Sequence, residues 1–168
     1  LDELSYDKFH QHESQLYRVE ENQHYSGRLF HVNVTPHPIA PAMVKEIPEI
    51  ADATRYVWAG GNLLRYREKA FYEYYMRAVD PSFLNMFTFP LLKGDKTTAL
   101  KEPHSIIISE KISEKYFGQE DPLMKTITVN NKYAFKVTGI MKDVPHNSYL
   151  QFDILIPYEF LRKSGETN

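Results

Sequence analysis

The sequence predicts an α+β fold in which antiparallel hairpins are separated by short helices. Stretches of alternating polar and apolar residues recur along the 168 residues, and several are joined by two-residue turns rich in glycine or asparagine. The helical patterns are short, and they fall between hairpins instead of following every strand. Because a parallel pair of strands needs a long crossover, usually a helix, this order favours antiparallel pairing over a doubly wound sheet.

The first half of the chain is predicted to contain two helices and two hairpins. In chain order these are a helix over residues 2–16, a hairpin across Ser26-Gly27, a helix over residues 39–47, a strand over residues 52–58, and a hairpin across Glu68-Lys69 whose second strand reaches residue 79. The buried face expected for the second helix consists of Ala40, Met43, Val44 and Ile47. Pro48 ends that helix, because proline cannot continue its hydrogen-bonding pattern.

The second half is predicted to contain three helices around a central apolar strand. Asp80 is interpreted as the N-cap of a helix over residues 81–86. The apolar run 105–108 predicts a buried strand, followed by a helix that Ser109 caps and Gly118 ends. The remaining elements are a turn over residues 91–95, a hairpin across Asn130-Asn131, a strand over residues 150–156 and a helix over residues 159–163.

Composition and charge exclude several classes of protein. The net charge of −2 arises from 20 basic and 22 acidic side chains, so the sequence lacks the basic excess of proteins that bind nucleic acid or anionic lipid. The absence of cysteine excludes disulfides, thiolate nucleophiles and thiolate zinc sites. No apolar run approaches the ~18 to 20 residues that cross a bilayer. The chain begins at Leu1 without an initiator methionine, which predicts a piece of a longer protein.

No pattern of catalytic or metal-binding residues stands out in the sequence. The seven histidines lack the HExxH or HxxxH spacing of a helical metal site, and Glu110 with Glu114 is interpreted as a pair of solvated helix charges. The nucleophile elbow, the P-loop and the GxGxxG pattern are missing as well. We therefore predict no catalytic residue, no metal ligand and no cofactor.

The strand predicted to end at residue 79 is rich in tyrosine, which permits two interpretations. Tyr72 and Tyr74 would share one face of the strand, from which they could stack on a sugar, a base or a partner protein. Alternatively they pack against side chains of the neighbouring strand, and the high strand propensity of tyrosine is enough to explain their presence here. Tyr72 and Tyr74 are therefore the candidate partner or ligand surface, with packing as the competing role.

Four groups of sequence elements, in a fixed order along most of the chain, resemble one known family. They are YDKFH at 6–10 with LYRV at 16–19; DPSFLNMFTFPLLKGD at 80–95; SIIISEKISEKYFG at 105–118 with DPLMKTI at 121–127; and KVTGIMKDVP at 136–145 with NS at 147–148 and FDIL at 152–155. In this order they resemble the MacB-like periplasmic core domains of FtsX-like ABC transporter permeases. Met124 departs from the family pattern, where glycine is usual, and suggests a different turn near Pro122. Tyr149 also departs, because histidine is common there.

The resemblance implies a two-lobed domain over residues 1–168. A porter-like lobe would comprise about residues 15–79 and 150–158, and a smaller mixed α/β lobe, about residues 80–149, would be inserted into it. The matching positions are expected to fix turns and element ends rather than to perform chemistry. They are Asp80, Gly94, Gly118, Asp121, Pro122, Gly139, Asp143 and Pro145.

The resemblance also implies a location and a role. The chain would be a periplasmic, extracytoplasmic domain of a permease in the cytoplasmic (inner) membrane, without enzymatic activity. It would couple ATP-driven motion of membrane helices to substrate export or to partner proteins. The expected partners are a cytoplasmic ATPase subunit acting through the membrane helices, a second permease copy, and a periplasmic adaptor or substrate protein, with no nucleic acid.

Two other functions stay open on the sequence alone. A freestanding secreted module would bind carbohydrate or another ligand through Tyr72 and Tyr74. A hydrolase would need a cleft that holds carboxylates or histidines with perturbed pKa values, and no sequence pattern indicates one.

Overall fold

Eleven strands and four helices are present in residues 5–165, the part of the chain that the computed structural model describes. The strands are β1 Glu21–Tyr25, β2 Arg28–Val32, β3 Tyr56–Trp58, β4 Asn62–Tyr66, β5 Lys69–Glu73, β6 Met76–Val79, β7 Leu91–Gly94, β8 Ser105–Ser109, β9 Thr126–Val129, β10 Tyr133–Met141 and β11 Ile154–Pro157. The helices are α1 Ile39–Glu46, α2 Phe83–Met86, α3 Glu110–Phe117 and α4 Tyr158–Ser164, and a 3-10 helix covers Glu13–Gln15. The strand pairings are antiparallel except β8 with β10 and β6 with β11, which confirms the predicted α+β class.

Nine of the strands form one mixed sheet. Its order runs β3-β6-β11-β8-β10, and both β9 and β7 pair with the far edge of β10. From β9 the sheet continues through β4 to β5. β1 and β2 form a separate hairpin, with its turn at Ser26-Gly27 as predicted. Strands of both predicted lobes are therefore hydrogen-bonded neighbours in one sheet, and the lobe boundaries stay a prediction.

The nine-stranded sheet carries a hydrophobic core on each face. Ile106 and Ile108 of β8 belong to one core and Ile107 to the other, and all three side chains are fully buried. Helices α3 and α4 cover the first core, whereas α2 and residues 87–100 cover the second. Because β8 is covered on both faces, it is a continuous apolar run instead of an alternating one.

Helix α3 forms as the sequence predicts. The Ser109 hydroxyl accepts a hydrogen bond from the Ile112 N–H at 3.4 Å, and Gly118 ends the helix with a φ of 61°. Its buried side chains are the predicted Ile112, Tyr116 and Phe117. The helices are short, and within residues 5–165 none has the length and apolar character required to cross a membrane.

The helix predicted over residues 2–16 is wrong in its described part, and residues 2–4 lie outside the described residues. Turns and the 3-10 helix occupy this segment, and Asp7 has a φ of 56°, which a right-handed helix does not contain. Phe9 and His10 pack instead against aromatic rings near α2. A tertiary contact therefore overrides the helical spacing.

The long strand predicted through residue 79 is divided at Tyr74-Tyr75. β5 pairs with β4, whereas β6 pairs with β3 and β11 in another part of the sheet. The Tyr75 carbonyl accepts hydrogen bonds from the N–H groups of Asp153 and Ile154, at 2.8 and 3.2 Å. The break interrupts the alternation: Tyr74 is exposed, whereas Met76, two residues further on, is buried.

Two further expectations were wrong in detail. Residues 91–94 form strand β7, paired with β10, instead of the predicted turn. Helix α1 lies where the sequence predicts it, but its expected apolar face is not buried. Val44 and Ile47 remain 38% and 40% exposed, whereas Ala40 and Met43 are half-buried.

Met124 takes a backbone conformation that favours glycine. Its φ is 64°, and its side chain is 65% exposed. We expect Met124→Gly to raise the free energy of unfolding by about 0.5–1 kcal/mol, because it relieves left-handed strain and exposes little apolar surface. Urea unfolding measures the change.

Gly118→Ala is the opposing control, since an added Cβ meets no atom within 4 Å and only the backbone is strained. It should cost about 1–3 kcal/mol, because its φ of 61° is combined with a ψ of −116°, which residues with a Cβ avoid. A loss of stability in Met124→Gly would contradict the prediction.

Candidate functional site

The predicted partner surface is exposed at the end of the sheet. Tyr72 lies on β5, the last strand of the sheet, and Tyr74 follows it, each with 63% of its surface exposed. The Tyr74 ring lies against Gly61, where an added Cβ would be 2.9 Å from ring atom Cδ1. Both tyrosines are accessible to a partner, and their role in binding stays a prediction.

Glu73, between these tyrosines, is buried on the opposite side of β5. Its Oε1 accepts hydrogen bonds from Lys115 Nζ at 2.7 Å and from the Tyr116 hydroxyl at 2.8 Å. Burial, followed by the hydrogen bond to Glu73, raises the pKa of Tyr116. Tyr116 is only 1% exposed, and its hydrogen bond to Glu73 ties β5 to α3.

The sequence suggested Asp80 as the N-cap of α2, but the Asp80 side chain does not cap this helix. Ser82 occupies the N-cap position, and the Asp80 carboxylate instead binds Arg55 in a fork, Oδ2 to Nε at 2.8 Å and Oδ1 to Nη2 at 2.5 Å. This Arg55–Asp80 pair raises the pKa of Arg55. The guanidinium carbon lies 3.7 Å from the centroid of the Tyr158 ring, and the Tyr158 hydroxyl is 2.7 Å from His37 Nδ1.

Gly94 and Gly139 face each other across β7 and β10. A Cβ on Gly94 would lie 2.4 Å from the Thr138 carbonyl oxygen, and Gly94 has a φ of 94°. A Cβ on Gly139 would first meet Ile107 Cγ1, at 3.3 Å. The two glycines therefore allow the backbones of β7 and β10 to approach closely.

Asp143 and Pro145 lie where the chain passes the start of α3. Asp143 Oδ1 accepts the Lys111 N–H at 3.1 Å, so its carboxylate satisfies a free N–H of the first helical turn. The Asp143 N–H donates in return to Glu110 Oε2 at 3.3 Å. The Pro145 carbonyl accepts the Ser148 N–H at 3.1 Å and so closes the next turn.

Asp121 and Pro122 form the turn before β9. Asp121 Oδ1 accepts hydrogen bonds from Lys93 Nζ at 3.0 Å and from the Leu123 N–H at 3.3 Å. These bonds, that of Lys93 first, lower the pKa of Asp121. The hydrogen bonds place this aspartate in a turn on the surface.

Residues 5–11, called here the N-terminal strap, are fastened first to residues 147–149. Asp7 Oδ1 accepts hydrogen bonds from the Ser148 hydroxyl at 3.1 Å and the Tyr149 N–H at 3.0 Å. The Asp7 N–H donates to the Asn147 carbonyl at 3.1 Å. The Asn147 amide donates to the carbonyl of the first described residue, also at 3.1 Å. These hydrogen bonds join parts of the chain more than 130 residues apart.

The strap is fastened a second time through His10. His10 Nδ1 accepts the Thr88 N–H at 3.0 Å, and Thr88 Oγ1 accepts the Gln11 N–H at 2.8 Å. The imidazole centroid lies 5.2 Å from each of the rings of Phe87 and Phe89. The strap is therefore held to residues 87–89 by two reciprocal hydrogen bonds and by ring packing.

The His10 imidazole is buried with one nitrogen unsatisfied. The side chain is 2% exposed, and within residues 5–165 Nε2 has no hydrogen-bond partner. The nearest carboxylate oxygen, Asp7 Oδ1, is 3.8 Å away. Burial lowers the pKa of His10, and the charges of Asp7 and Glu13 oppose that shift. The ring is thus held neutral.

Three of the elements that carry the resemblance meet at the strap. YDKFH supplies Asp7 and His10, the 80–95 element supplies Thr88, and the 147–148 element supplies Asn147 and Ser148. The sequence assigned no role to Asp7 or His10. The one sequence signal for such a role was that the first element of the resemblance, YDKFH, contains an aspartate and a histidine.

No catalytic or metal-binding arrangement emerges in the described chain. Within residues 5–165, no three histidine, aspartate or glutamate side chains are placed to hold a metal ion. A surface cleft of about 370 Å³ is lined by Pro103, His104, Tyr133, Phe160, Lys163 and Ser164. This lining offers a histidine but no carboxylate to orient it, so the cleft does not support a hydrolase.

Solved domains of permeases are similar to this chain. A domain of a putative permease protein from Porphyromonas gingivalis is 27% identical, with a TM-score of 0.72 over 84% of this chain and 60% of that one. The periplasmic region of MacB from Actinobacillus actinomycetemcomitans is 19% identical, with a TM-score of 0.62 over 77% and 57%. The extracellular domain of the noncanonic ABC-type transporter YknZ from Gram-positive bacteria is 20% identical, with a TM-score of 0.59 over 76% and 65%. The chain spans less than two thirds of each of these domains, and the last two likenesses show the fold alone.

The sequence itself assigns the family. No curated protein matches it. The family model of the MacB-like periplasmic core domain matches residues 2–168, nearly the whole chain. The similar solved structures are permease and ABC-transporter domains with the same mixed α+β fold. The chain therefore belongs to the MacB-like periplasmic core domain family.

Proposed function

We propose that this domain lies outside the cytoplasmic membrane and transmits motion between the membrane helices of an ABC transporter permease and a substrate or partner protein. The match of the family model to residues 2–168 carries this proposal. A cytoplasmic ATPase subunit would supply the motion, and the domain would contribute neither catalysis nor a cofactor. A second permease copy and a periplasmic adaptor or substrate protein are the other proposed partners.

The sheet supports such a role mechanically. Its two close-packed cores resist deformation. A displacement at one side of the sheet would therefore move the whole sheet as a rigid body, including its other side. We propose the porter-like lobe over about residues 15–79 and 150–158, and the inserted lobe over about residues 80–149. β6 and β11 of the first pair in the same sheet as β8 of the second, so motion of one lobe would reach the other through backbone hydrogen bonds.

Distances between labelled copies of the full permease test this proposal. Lys101 lies exposed in a loop, and the chain has no cysteine, so Lys101→Cys gives one spin label in each domain. With the ATPase subunit present, we expect the label-to-label distance to differ between the nucleotide-free and ATP-bound states. An ATPase subunit that cannot bind ATP should abolish the difference. Identical distance distributions in both states would contradict the proposed transmission.

A further inference from the structure

We propose that the N-terminal strap is a pH-sensitive clasp, closed while His10 is neutral and opened when the imidazole takes up a second proton. The clasp consists of the hydrogen bonds of Asp7 to residues 147–149 and of His10 to Thr88. This inference goes beyond the proposed function, because it concerns an equilibrium within the domain itself.

The geometry at Thr88 sets the protonation state of the closed clasp. Because His10 Nδ1 accepts the Thr88 N–H, the single proton of the neutral ring resides on Nε2. A second proton would occupy Nδ1 and point at the Thr88 N–H. The amide would then lose its acceptor and two donors would oppose each other, so the protonated ring is incompatible with the closed contact.

The charges around His10 do not rescue the protonated form. Asp7 and Glu13, on its own segment, are the carboxylates that favour an imidazolium. Residues 87–89 present two phenylalanines and a threonine, none of which titrates. Asp7 Oδ1 is 3.8 Å from Nε2 and already accepts the bonds from residues 148 and 149. Burial of His10 outweighs both carboxylates, and its pKa in the closed clasp is lowered.

The sign of the pH dependence follows from this direction. In an open strap His10 meets water and titrates near the ordinary value of 6.5, whereas in the closed clasp its pKa lies lower. Above about pH 6.5 the ring is neutral in both states, and the clasp has its full stability. As the pH falls below that value the open state gains protons first, and the clasp weakens.

The strap is suited to open without unfolding the rest of the domain. Within residues 5–16 only His10 is buried, and the other residues are exposed or half-buried. Segments with few buried contacts open at low free-energy cost. If the domain transmits motion as proposed, an open clasp would loosen the link between the start of the chain and the sheet.

Hydrogen exchange of the 168-residue chain tests the clasp. Protection factors, corrected for the intrinsic effect of pH, are measured by NMR for the Asp7 and Thr88 amides between pH 7.5 and pH 5. We expect both to fall about three- to tenfold toward pH 5. The Val137 amide, which donates to the Lys125 carbonyl within the sheet, should keep its protection. Constant protection of Asp7 and Thr88 would overturn the proposal.

Matched variants assign the effect to one histidine. Gln at position 10 offers an amide oxygen to the Thr88 N–H but does not titrate, so His10→Gln should make protection independent of pH. His12→Gln and His146→Gln remove neighbouring histidines and should leave the pH dependence intact. An unchanged pH dependence in His10→Gln would refute the clasp. If that variant fails to fold, the imidazole nitrogen shifts of the unmodified chain decide, because a neutral ring with its proton on Nδ1 is incompatible with the proposal. These measurements use the domain alone, so their outcome is separate from that of the labelled permease.

Discussion

Gly94→Ala is expected to lower the free energy of unfolding by about 2–4 kcal/mol, for two reasons that add. The φ of 94° is a conformation that alanine adopts only with strain, which costs about 1 kcal/mol. The new Cβ would also lie 2.4 Å from the Thr138 carbonyl oxygen, so β7 must move away from β10. Such overpacking costs about 1–3 kcal/mol. Against a typical total stability of about 5–15 kcal/mol, this loss is large.

Two other glycine substitutions separate these contributions. Gly118→Ala introduces backbone strain without a clash, since nothing lies within 4 Å of its added Cβ. Gly139→Ala introduces a contact of 3.3 Å with the Ile107 side chain, which can shift, so about 1 kcal/mol is expected. Urea unfolding should rank Gly94→Ala as the most destabilising of the three. If Gly94→Ala lowers the stability no more than Gly118→Ala does, β7 does not pack on β10 in this register.

Local chemistry explains which parts of the fold could be predicted from the sequence. The Ser109 cap, the Gly118 end and the buried stripe of α3 depend on residues a few positions apart, and all three expectations are confirmed. The Ser26-Gly27 and Asn130-Asn131 turns are encoded in residues that tolerate positive φ, and the structure has both turns there.

Long-range contacts explain what was missed. The first segment has helical spacing, but Asp7 bonds residues more than 140 positions away and forces a backbone incompatible with a helix. The turn predicted over residues 91–95 is wrong because residues 91–94 pair with β10 as strand β7, where Gly94 allows the close approach. The interior position of Glu73 depends on Lys115 and Tyr116, which no local pattern connects with it.

In the candidate site, too, local patterns predicted some features, whereas features that depend on distant residues were missed. Strand alternation placed Tyr72 and Tyr74 at the surface as one option, and both are exposed. The alternation pattern could not predict the N-terminal strap, because the hydrogen-bond partners of Asp7 and His10 lie in distant segments, after α2 and after β10. The resemblance did include these elements, and three of them meet at the strap.

Asp80→Asn is expected to lower the free energy of unfolding by about 2 kcal/mol, because it leaves the Arg55 guanidinium half-buried without its counter-ion. The two side chains are only 23% and 18% exposed, so solvent screens the pair weakly. The amide would also direct an N–H at the guanidinium, where one carboxylate oxygen now accepts. The Arg55–Asp80 pair joins the segment before β3 to the end of β6, so its loss should loosen both strands.

A double-mutant cycle distinguishes this pair from unrelated effects of substitution. Arg55→Gln alone should also destabilise, since it loses both the fork and the stacking on Tyr158, 3.7 Å away. With both substitutions present no buried charge remains unpaired, so the loss should be smaller than the sum of the single losses by about 1–2 kcal/mol. Asp121→Asn is the matched control, because its partner Lys93 is exposed and the variant keeps an acceptor for the Leu123 N–H. It should leave the urea midpoint almost unchanged. Additive losses at positions 55 and 80 would show that the fork does not stabilise the domain, and Asp80 would then act through the Arg55 N–H, which its Oδ2 accepts at 2.8 Å.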